Sequence, residues 1–367
     1  MAPTRTRASH SASDSQAGET SLEVLGRRLT RMHEMFYCTT SLLNLGKETH
    51  GMDKQARTQF CQGSEKKQRL LGVLEALLAL DPTVIQRTLT APLDLRRVVN
   101  RDTGKSLSRG QSNGRSEDMR KMIKLMNDER VWSWGPLPGS IRCKGARGLN
   151  HEGCAYLLSP PSLDWEDQEV RANFLAGKTR PSGQQWPRLC WMGCEYNPAK
   201  PSEGLLYSDL LIEGGKGMLL SLSSVDNIAG APGARGSGAK RKNNKGLAKR
   251  YNINRVTTSF IAYVVVCIRH ALTSDTLFDE VSNGFNYPAF YDGIKQYLEA
   301  PSFASRATAL LDWWNQKIFG DVYFGAEEPQ DPQGCGTLAA LLAEVEGEDD
   351  RGTPGSGVGE DAGDESS

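Results

Sequence analysis

Residues 257–270 read TTSFIAYVVVCIRH and form the most hydrophobic stretch of the chain. The apolar residues of Phe260–Ile268 line one broad face at helical spacing, and Thr257 or Thr258 can cap its start. The run Val264–Val266 is also compatible with a strand, but the period and the length of the stretch favour a helix. The stretch is far shorter than the roughly 20 residues of a membrane span. We therefore expect a core helix of a soluble domain without membrane contact.

Helices are also predicted on both sides of this stretch. The first begins after Ser21 and closes near Gly46, and its apolar residues follow the alternating three- and four-residue spacing of a helix face. That apolar face consists of Leu22, Leu25, Leu29, Met32 and Phe36. Further helices are predicted at 67–80, at 82–85, from Ser116 past Met126, from Asp164 to Gly177, near 203–212, near 287–299 and at 304–319. Residues 101–115 (RDTGKSLSRGQSNGR) are typical of turn and loop.

The fold class predicted from this pattern is mainly α, a single multi-helix domain over residues 21–325. Its centre, residues 131–200, differs in composition, because tryptophans there are interspersed with prolines and glycines. These tryptophans are Trp132, Trp134, Trp165, Trp186 and Trp191. We expect irregular structure in this Trp/Pro-rich central region, pinned by aromatic side chains.

Two further tryptophans are adjacent in the chain, at Trp313 and Trp314. Helical spacing places Trp314 on a buried face with Ala307, Leu310, Leu311 and Ile318. Trp313 must then be half-exposed or covered by the central region. Core packing is the stronger interpretation of this pair, and stacking on nucleic-acid bases is the weaker one.

The net charge of zero conceals an asymmetry along the chain. Residues 326–367 contain twelve acidic residues and one arginine, a net charge of −11, which leaves +11 on residues 1–325. Residues 1–20 and the acidic tail 326–367 are predicted to be disordered. Within the tail, residues 337–345 form a short amphipathic segment that is suited to docking in a protein groove. Its apolar face comprises Leu338, Leu341, Leu342 and Val345.

A basic, glycine-rich segment interrupts the second half of the chain. Residues 229–250 (AGAPGARGSGAKRKNNKGLAKR) hold seven basic residues and no acidic one, and they predict a disordered loop inside the domain. The seven are Arg235, Lys240, Arg241, Lys242, Lys245, Lys249 and Arg250. Clustered cations of this kind contact nucleic-acid phosphates or the acidic groove of an importin. A solvated insertion without a partner is an equally good interpretation.

The eight cysteines are scattered and favour free thiols in a reducing compartment over a disulfide framework. Cys190 and Cys194, with Cys143, His151 and Cys154 upstream, could supply the soft ligands of a zinc site. Their spacing matches no paired CxxC pattern, however, and burial of the cysteines as small apolar side chains is the better interpretation. No metal and no cofactor are therefore predicted.

No motif of known catalytic chemistry is present. His151 lies in a glycine-flanked loop and could anchor it by a hydrogen bond, while Arg269 and His270 end the hydrophobic helix and could interact with its dipole. Residues 214–217 (GGKG) lack the spacing of a phosphate-binding loop and are expected to end a helix. No catalytic residue is predicted.

The second half of the chain resembles an uncharacterised family of mushroom-forming fungi, the domain of unknown function numbered six-six-nine-eight. The resemblance covers roughly residues 150–320. It rests on Leu163-Asp164-Trp165 with Asp167, Glu169, Val170 and Arg171; on Gly183-Gln184-Gln185-Trp186-Pro187; on Tyr196-Asn197-Pro198; on Ser223-Ser224-Val225; on Arg255-Val256-Thr257 with Ile261-Ala262-Tyr263-Val264; and on Asp312-Trp313-Trp314-Asn315. The long segment 229–250 and the pair Cys190 and Cys194 depart from the family pattern. The resemblance implies an intracellular fungal protein, and the family carries no known activity.

The leading functional hypothesis is a non-enzymatic interaction protein of the nucleus that contacts nucleic acid or an acidic partner electrostatically. The alternative is an enzyme or a zinc-dependent domain of unrecognised type centred on residues 143–196.

Overall fold

The structure is a computed structural model that describes residues 21–127, 143–220 and 246–320. These residues form helices joined by short turns, and the prediction of a mainly α-helical domain is confirmed. The helices are α1 (Leu22–Met32), α2 (Thr39–Glu48), α3 (Lys54–Cys61), α4 (Glu65–Leu80), α5 (Val84–Thr90), α6 (Arg96–Leu125), α7 (Glu152–Leu158), α8 (Gln168–Leu175), α9 (Asp209–Leu219), α10 (Leu247–Tyr251), α11 (Thr258–Leu272), α12 (Tyr287–Glu299) and α13 (Ala304–Phe319). The described strands, β1 (Val281–Ser282) and β2 (Phe285–Asn286), pair antiparallel with Val281 opposite Asn286.

Helix α11 is the centre of the larger hydrophobic core. Its residues from Ser259 to Leu272 are all buried, and α6, α9 and α12 pack around it. Thr257 caps the helix, since its hydroxyl accepts a hydrogen bond from the Phe260 amide at 3.1 Å. The helix predicted from the sequence at this position is therefore confirmed.

Helix α6 runs through residues 101–115, so the prediction of a loop there is wrong. The physical reason is its packing against α1. A Cβ atom on Gly110 would lie 2.2 Å from the Glu23 carbonyl oxygen, and one on Gly26 would lie 2.2 Å from the Leu107 carbonyl oxygen. The glycines that made the stretch resemble a loop let the two helix backbones approach closely. The gain from this packing outweighs the low helix propensity of glycine.

The helix predicted from Ser21 to Gly46 is interrupted, because residues 33–38 leave the helix between α1 and α2. Glu34 in this break is fully buried and accepts a hydrogen bond from Arg69 of α4 at 2.8 Å. Gln111 of α6 donates to the Met35 carbonyl at 3.1 Å. A partner far away in the sequence therefore satisfies the Met35 carbonyl that a continuous helix would have used, and another satisfies the buried Glu34 carboxylate.

The central region is built mainly of short 3₁₀ turns around α7 and α8, as its aromatic and glycine-rich sequence predicts. Helix α8 begins later than the helix expected from Asp164, and its first turn is capped by Asp167, whose carboxylate accepts from two backbone amides. Gly177 follows the helix at φ +70°, a conformation that favours glycine. Trp165 packs edge-on against Phe174. Trp132 and Trp134 lie outside the described residues.

Helix α9 begins and ends later than the helix expected near 203–212. The GGKG stretch 214–217, expected to end a helix, lies inside α9 and is buried. A Cβ atom on Gly214 would lie 2.5 Å from the Ile268 side chain, so this glycine allows α9 to pack closely on α11. These glycines therefore have a packing role.

No helix among the described residues is both long and apolar enough to cross a lipid bilayer. Residues 1–20, the acidic tail 326–367 and its segment 337–345 lie outside the described residues.

Candidate functional site

Four cations follow one another along the N-terminal half of α6. Arg97, Arg101, Lys105 and Arg109 are spaced by four residues, and all four side chains are exposed. Each step advances about 6 Å along the helix axis and turns by about 40° around it. We call these four residues the basic row.

Acidic side chains neutralise the basic row only in part. Arg101 contacts the neighbouring Asp102 at 3.3 Å, and Arg109 contacts Glu23 of α1 at 3.1 Å. Both pairs are at the surface, where ion pairs contribute little. Within the described parts of the chain, Arg97 and Lys105 have no ion-pair partner within 4 Å. A bound anion would relieve the mutual repulsion of these cations.

The first turn of α6 carries positive charge, which destabilises a helix N-terminus. It contains two arginines, Arg96 and Arg97, and no acidic residue. The positive end of a helix dipole favours negative side chains and disfavours cations. These arginines therefore reduce the stability of the helix, which is typical of residues kept for binding.

The basic row borders a groove that begins at the N-terminus of α2. Thr39 and Thr40 of α2 line it together with Arg97, Arg101 and Lys105, and its volume is about 620 Å³. The N-cap residue of α2 is Cys38. Hydrogen bonds from the Ser41 side chain, and then from the Ser41 and Thr40 amides, lower the pKa of its thiol. The exposed guanidinium groups of the groove are suited to a phosphate or a carboxylate.

The basic segment predicted at 229–250 lies only partly in the described structure. Lys249 and Arg250 are exposed side chains of α10, so the prediction of a disordered loop is wrong for them. The buried Ala248 anchors this short helix. The other five cations lie outside the described residues: Arg235, Lys240, Arg241, Lys242 and Lys245.

The two described residues that flank the segment 221–245, Leu220 and Gly246, are in contact. A Cβ atom on Gly246 would lie 2.0 Å from the carbonyl oxygen of Leu220, directly after α9. Residues 221–245 therefore connect two backbone positions that already touch. The sequence shows the charge of this segment but not the contact between its ends.

The candidate zinc ligands are not brought together as a metal site. Over residues 21–127, 143–220 and 246–320, no three His, Cys, Asp or Glu side chains are grouped to hold a metal ion. Cys143 is exposed, whereas Cys154, Cys190 and Cys194 are buried. Burial raises the pKa of the Cys154 and Cys194 thiols to about 11, so both thiols are protonated at neutral pH. The seven cysteines in the described parts of the chain are free thiols.

His151 has a structural role in the described fold. It is the N-cap residue of α7, and its Nδ1 atom accepts a hydrogen bond from the Cys154 amide at 3.4 Å. This agrees with the interpretation of His151 as a residue that anchors its loop.

The C-terminus of α11 is stabilised by cations other than those expected. Lys144 Nζ donates to the His270 carbonyl at 2.9 Å, and Arg147 donates to the Ala271 carbonyl at 2.7 Å. Burial, with Lys144 nearby, lowers the pKa of His270 to about 4, so this histidine is neutral at neutral pH. Arg269 is buried and donates to the Tyr287 hydroxyl at 2.9 Å. The expected interaction with the helix dipole is therefore wrong for His270, whereas Arg269 lies in the last turn of α11 as expected.

Sequence reasoning missed the basic row because it assigned residues 101–115 to a loop. The signal was present as cations at 97, 101, 105 and 109, one helical turn apart. Cations spaced by four residues share a helix face only where the backbone is helical. The glycines in 101–115 favour a loop, so the spacing was not interpreted as a helix face.

A family model described as a family of unknown function (DUF6698) matches residues 109–319. The match starts at the last residue of the basic row and includes α7 through α13. No curated protein and no solved structure matches the chain.

Proposed function

Because this chain belongs to DUF6698, a family of unknown function, we propose its function from its own residues: it is a non-enzymatic protein of the nucleus that binds the phosphate backbone of nucleic acid. The basic row is the observation that carries this proposal. Its cations are exposed and only partly neutralised, and Arg97 lies in the first turn of α6, where a cation lowers helix stability. Lys249, Arg250 and the five cations of 229–245 add to the positive charge.

Phosphate contacts by exposed lysine and arginine supply affinity without sequence selectivity. The cations of the row lie on one helix, whose exposed side chains are free to follow a backbone rather than to read base edges. We therefore expect binding that depends strongly on salt and weakly on nucleotide sequence.

An acidic protein partner is the second candidate, and a separate observation favours it. Leu93, Leu95 and Val98 are exposed beside the start of the basic row, and Leu93 is 80% exposed. Apolar side chains beside cations suit a peptide that carries both acidic and apolar residues, whereas nucleic-acid phosphates need only the cations.

The test measures binding of a labelled DNA duplex, a single-stranded RNA and an acidic leucine-containing peptide by fluorescence anisotropy over a range of salt. The variant combines Arg97→Glu with Lys105→Glu, and the matched control combines Lys178→Glu with Lys200→Glu at exposed positions outside the row. We expect the row variant to weaken nucleic-acid binding at least about 10-fold. We also expect it to make the slope of log affinity against log salt shallower by about 2.

Two outcomes would overturn the proposal that the basic row binds nucleic acid. Equal losses in the row variant and the control would show that only net charge matters. Binding of the peptide without retention of either nucleic acid at low salt would favour the acidic partner instead.

The nuclear part of the proposal is tested with a fluorescent fusion of the full chain. The variant changes five cations of the basic segment to alanine: Lys240, Arg241, Lys242, Lys249 and Arg250. We expect the parent to concentrate in the nucleus and the variant to spread into the cytoplasm, because importins read clustered cations. Identical distributions would exclude an import role for the segment.

A further inference from the structure

A cavity of about 350 Å³ lies between the end of α11, the end of α8 and the β1–β2 hairpin. One wall is apolar and is formed by Leu149, Leu158, Phe174 and Phe285. The volume is in the range of small-molecule pockets. The cavity is distinct from the groove beside the basic row.

The backbone of two turns shapes this cavity. Gly148 has φ +66°, and a Cβ atom there would lie 3.0 Å from the Ser274 amide nitrogen, so only glycine fits without a shift. Asn283 and Gly284 both have positive φ and form the tight turn of the hairpin. The Asn283 side chain donates to Asp275 at 2.8 Å, which fastens the hairpin to the loop after α11.

Arg269 is the charged group on the cavity wall that is most deeply buried. Its side chain lines the cavity although the residue is only 6% exposed. The guanidinium carbon lies 3.1 Å from the centre of the Phe285 ring, so the planar group is stacked on an aromatic face. Contact with the ring face holds the guanidinium rigid.

The hydrogen bonds of Arg269 are incomplete. Nη1 donates to the Tyr287 hydroxyl at 2.9 Å, and Nε is shielded and has no partner in the described parts of the chain. Nη2 has no hydrogen-bond partner among the described residues. The carboxylate of Asp275 also lines the cavity, but it accepts hydrogen bonds from Ser282 and Asn283. A buried cation with an unpartnered N–H is costly unless an acceptor is supplied.

We infer that this cavity binds a small organic molecule with one carboxylate and an apolar body. The carboxylate pairs with Nη2 of Arg269 in a charge-assisted hydrogen bond. The apolar body lies against Leu158 and Phe174. The ionisable groups of the lining, Arg269, Arg180 and Asp275, sum to one positive charge, which matches a monoanion better than a phosphate dianion.

The site does not depend on the proposed nucleic-acid contact and is tested separately. Benzoate and hexanoate are titrated into the full-length protein with ligand-observed NMR, and benzamide and hexanamide serve as neutral counterparts of the same shape. We expect the acids to bind at submillimolar concentration and the amides to bind at least about 10-fold more weakly, because they lose the charge-assisted pair.

Two variants locate the binding. Arg269→Gln removes the charge, and Thr179→Trp fills the exposed mouth of the cavity without touching the core. Each is expected to weaken binding at least about 10-fold, while Thr308→Trp, on an exposed position of α13, leaves it within about twofold. Because Arg269→Gln removes a buried group, Thr179→Trp decides the result if Arg269→Gln does not fold.

Three results would overturn the assignment: amides that bind as tightly as the acids, a folded Thr179→Trp protein that keeps its affinity, or no binding of either acid at millimolar concentration. Tighter binding of phenyl phosphate than of benzoate would show that the cavity prefers a phosphate to a carboxylate, and it would also overturn the assignment.

Discussion

Trp313 and Trp314 are adjacent in the chain, but only Trp314 is fully buried. Its indole N–H donates to the Leu206 carbonyl at 3.0 Å, and Gly215 leaves room for its ring. We predict that Trp314→Ala lowers the free energy of unfolding by about 3–5 kcal/mol, because it leaves a large cavity and an unpaired carbonyl. Urea denaturation measures this loss.

Trp313→Ala is the matched control for this prediction. Trp313 is half-buried and stacks edge-on with Tyr207 at 5.0 Å. Its loss should cost only about 1 kcal/mol, since much of the ring already contacts water. Equal losses in the two variants would contradict the assignment of Trp314 as the core residue.

At the scale of one element, the glycines of α6 and α4 should respond oppositely to the same substitution. Gly110→Ala places a Cβ atom against the backbone of α1, so we predict a loss of at least about 1 kcal/mol although alanine is the better helix former. Gly72→Ala in α4 meets no atom within 4 Å and should gain about 1 kcal/mol. Thermal unfolding of the two variants compares them directly.

A stabilising effect of Gly110→Ala would show that α1 and α6 do not approach as closely as described. The same comparison also tests the basic row indirectly, because the row is a helix face only if α6 is continuous through residues 101–115.

For the whole molecule, burial of two histidines predicts loss of stability in mild acid. The pKa of His33 and of His270 is lowered by burial, and further by nearby cations, to about 4 in each case. An unfolded histidine has a pKa near 6.5, so the unfolded chain binds protons more tightly. The contribution of each neutral histidine to stability is complete above about pH 6.5 and declines as pH falls towards 4.

We predict that His270→Gln flattens this decline. The buried His270 alone could account for about 3 kcal/mol between pH 6.5 and pH 4. The measurement is the free energy of unfolding by urea at several values of pH. His50→Gln, at an exposed position, is the control and should follow the parent. If the stability of the His270→Gln protein falls as steeply as that of the parent, groups other than His270 cause the acid sensitivity.

Local patterns in the sequence were sufficient for much of the helical architecture. The core helix α11 and its cap at Thr257 followed from periodicity and from a single side-chain hydrogen bond. Helices α12 and α13 were predicted at 287–299 and 304–319, which are their observed bounds. These features depend on residues within a few positions of one another, so the sequence expresses them directly. The fungal origin implied by the resemblance rests on that resemblance alone.

Only the tertiary structure decided the continuity of α6, the break before α2 and the cavity beside Arg269. Glycines in 101–115 favour a loop locally, but packing on α1 stabilises a helix, and the basic row follows from that helix. Glu34 leaves the helix because Arg69 and Lys295 supply its partners from distant elements. Gly148 and Phe285 meet around Arg269 although more than a hundred residues separate them. Each outcome depends on contacts between segments far apart in sequence, whose energies exceed local preferences and leave no local signal.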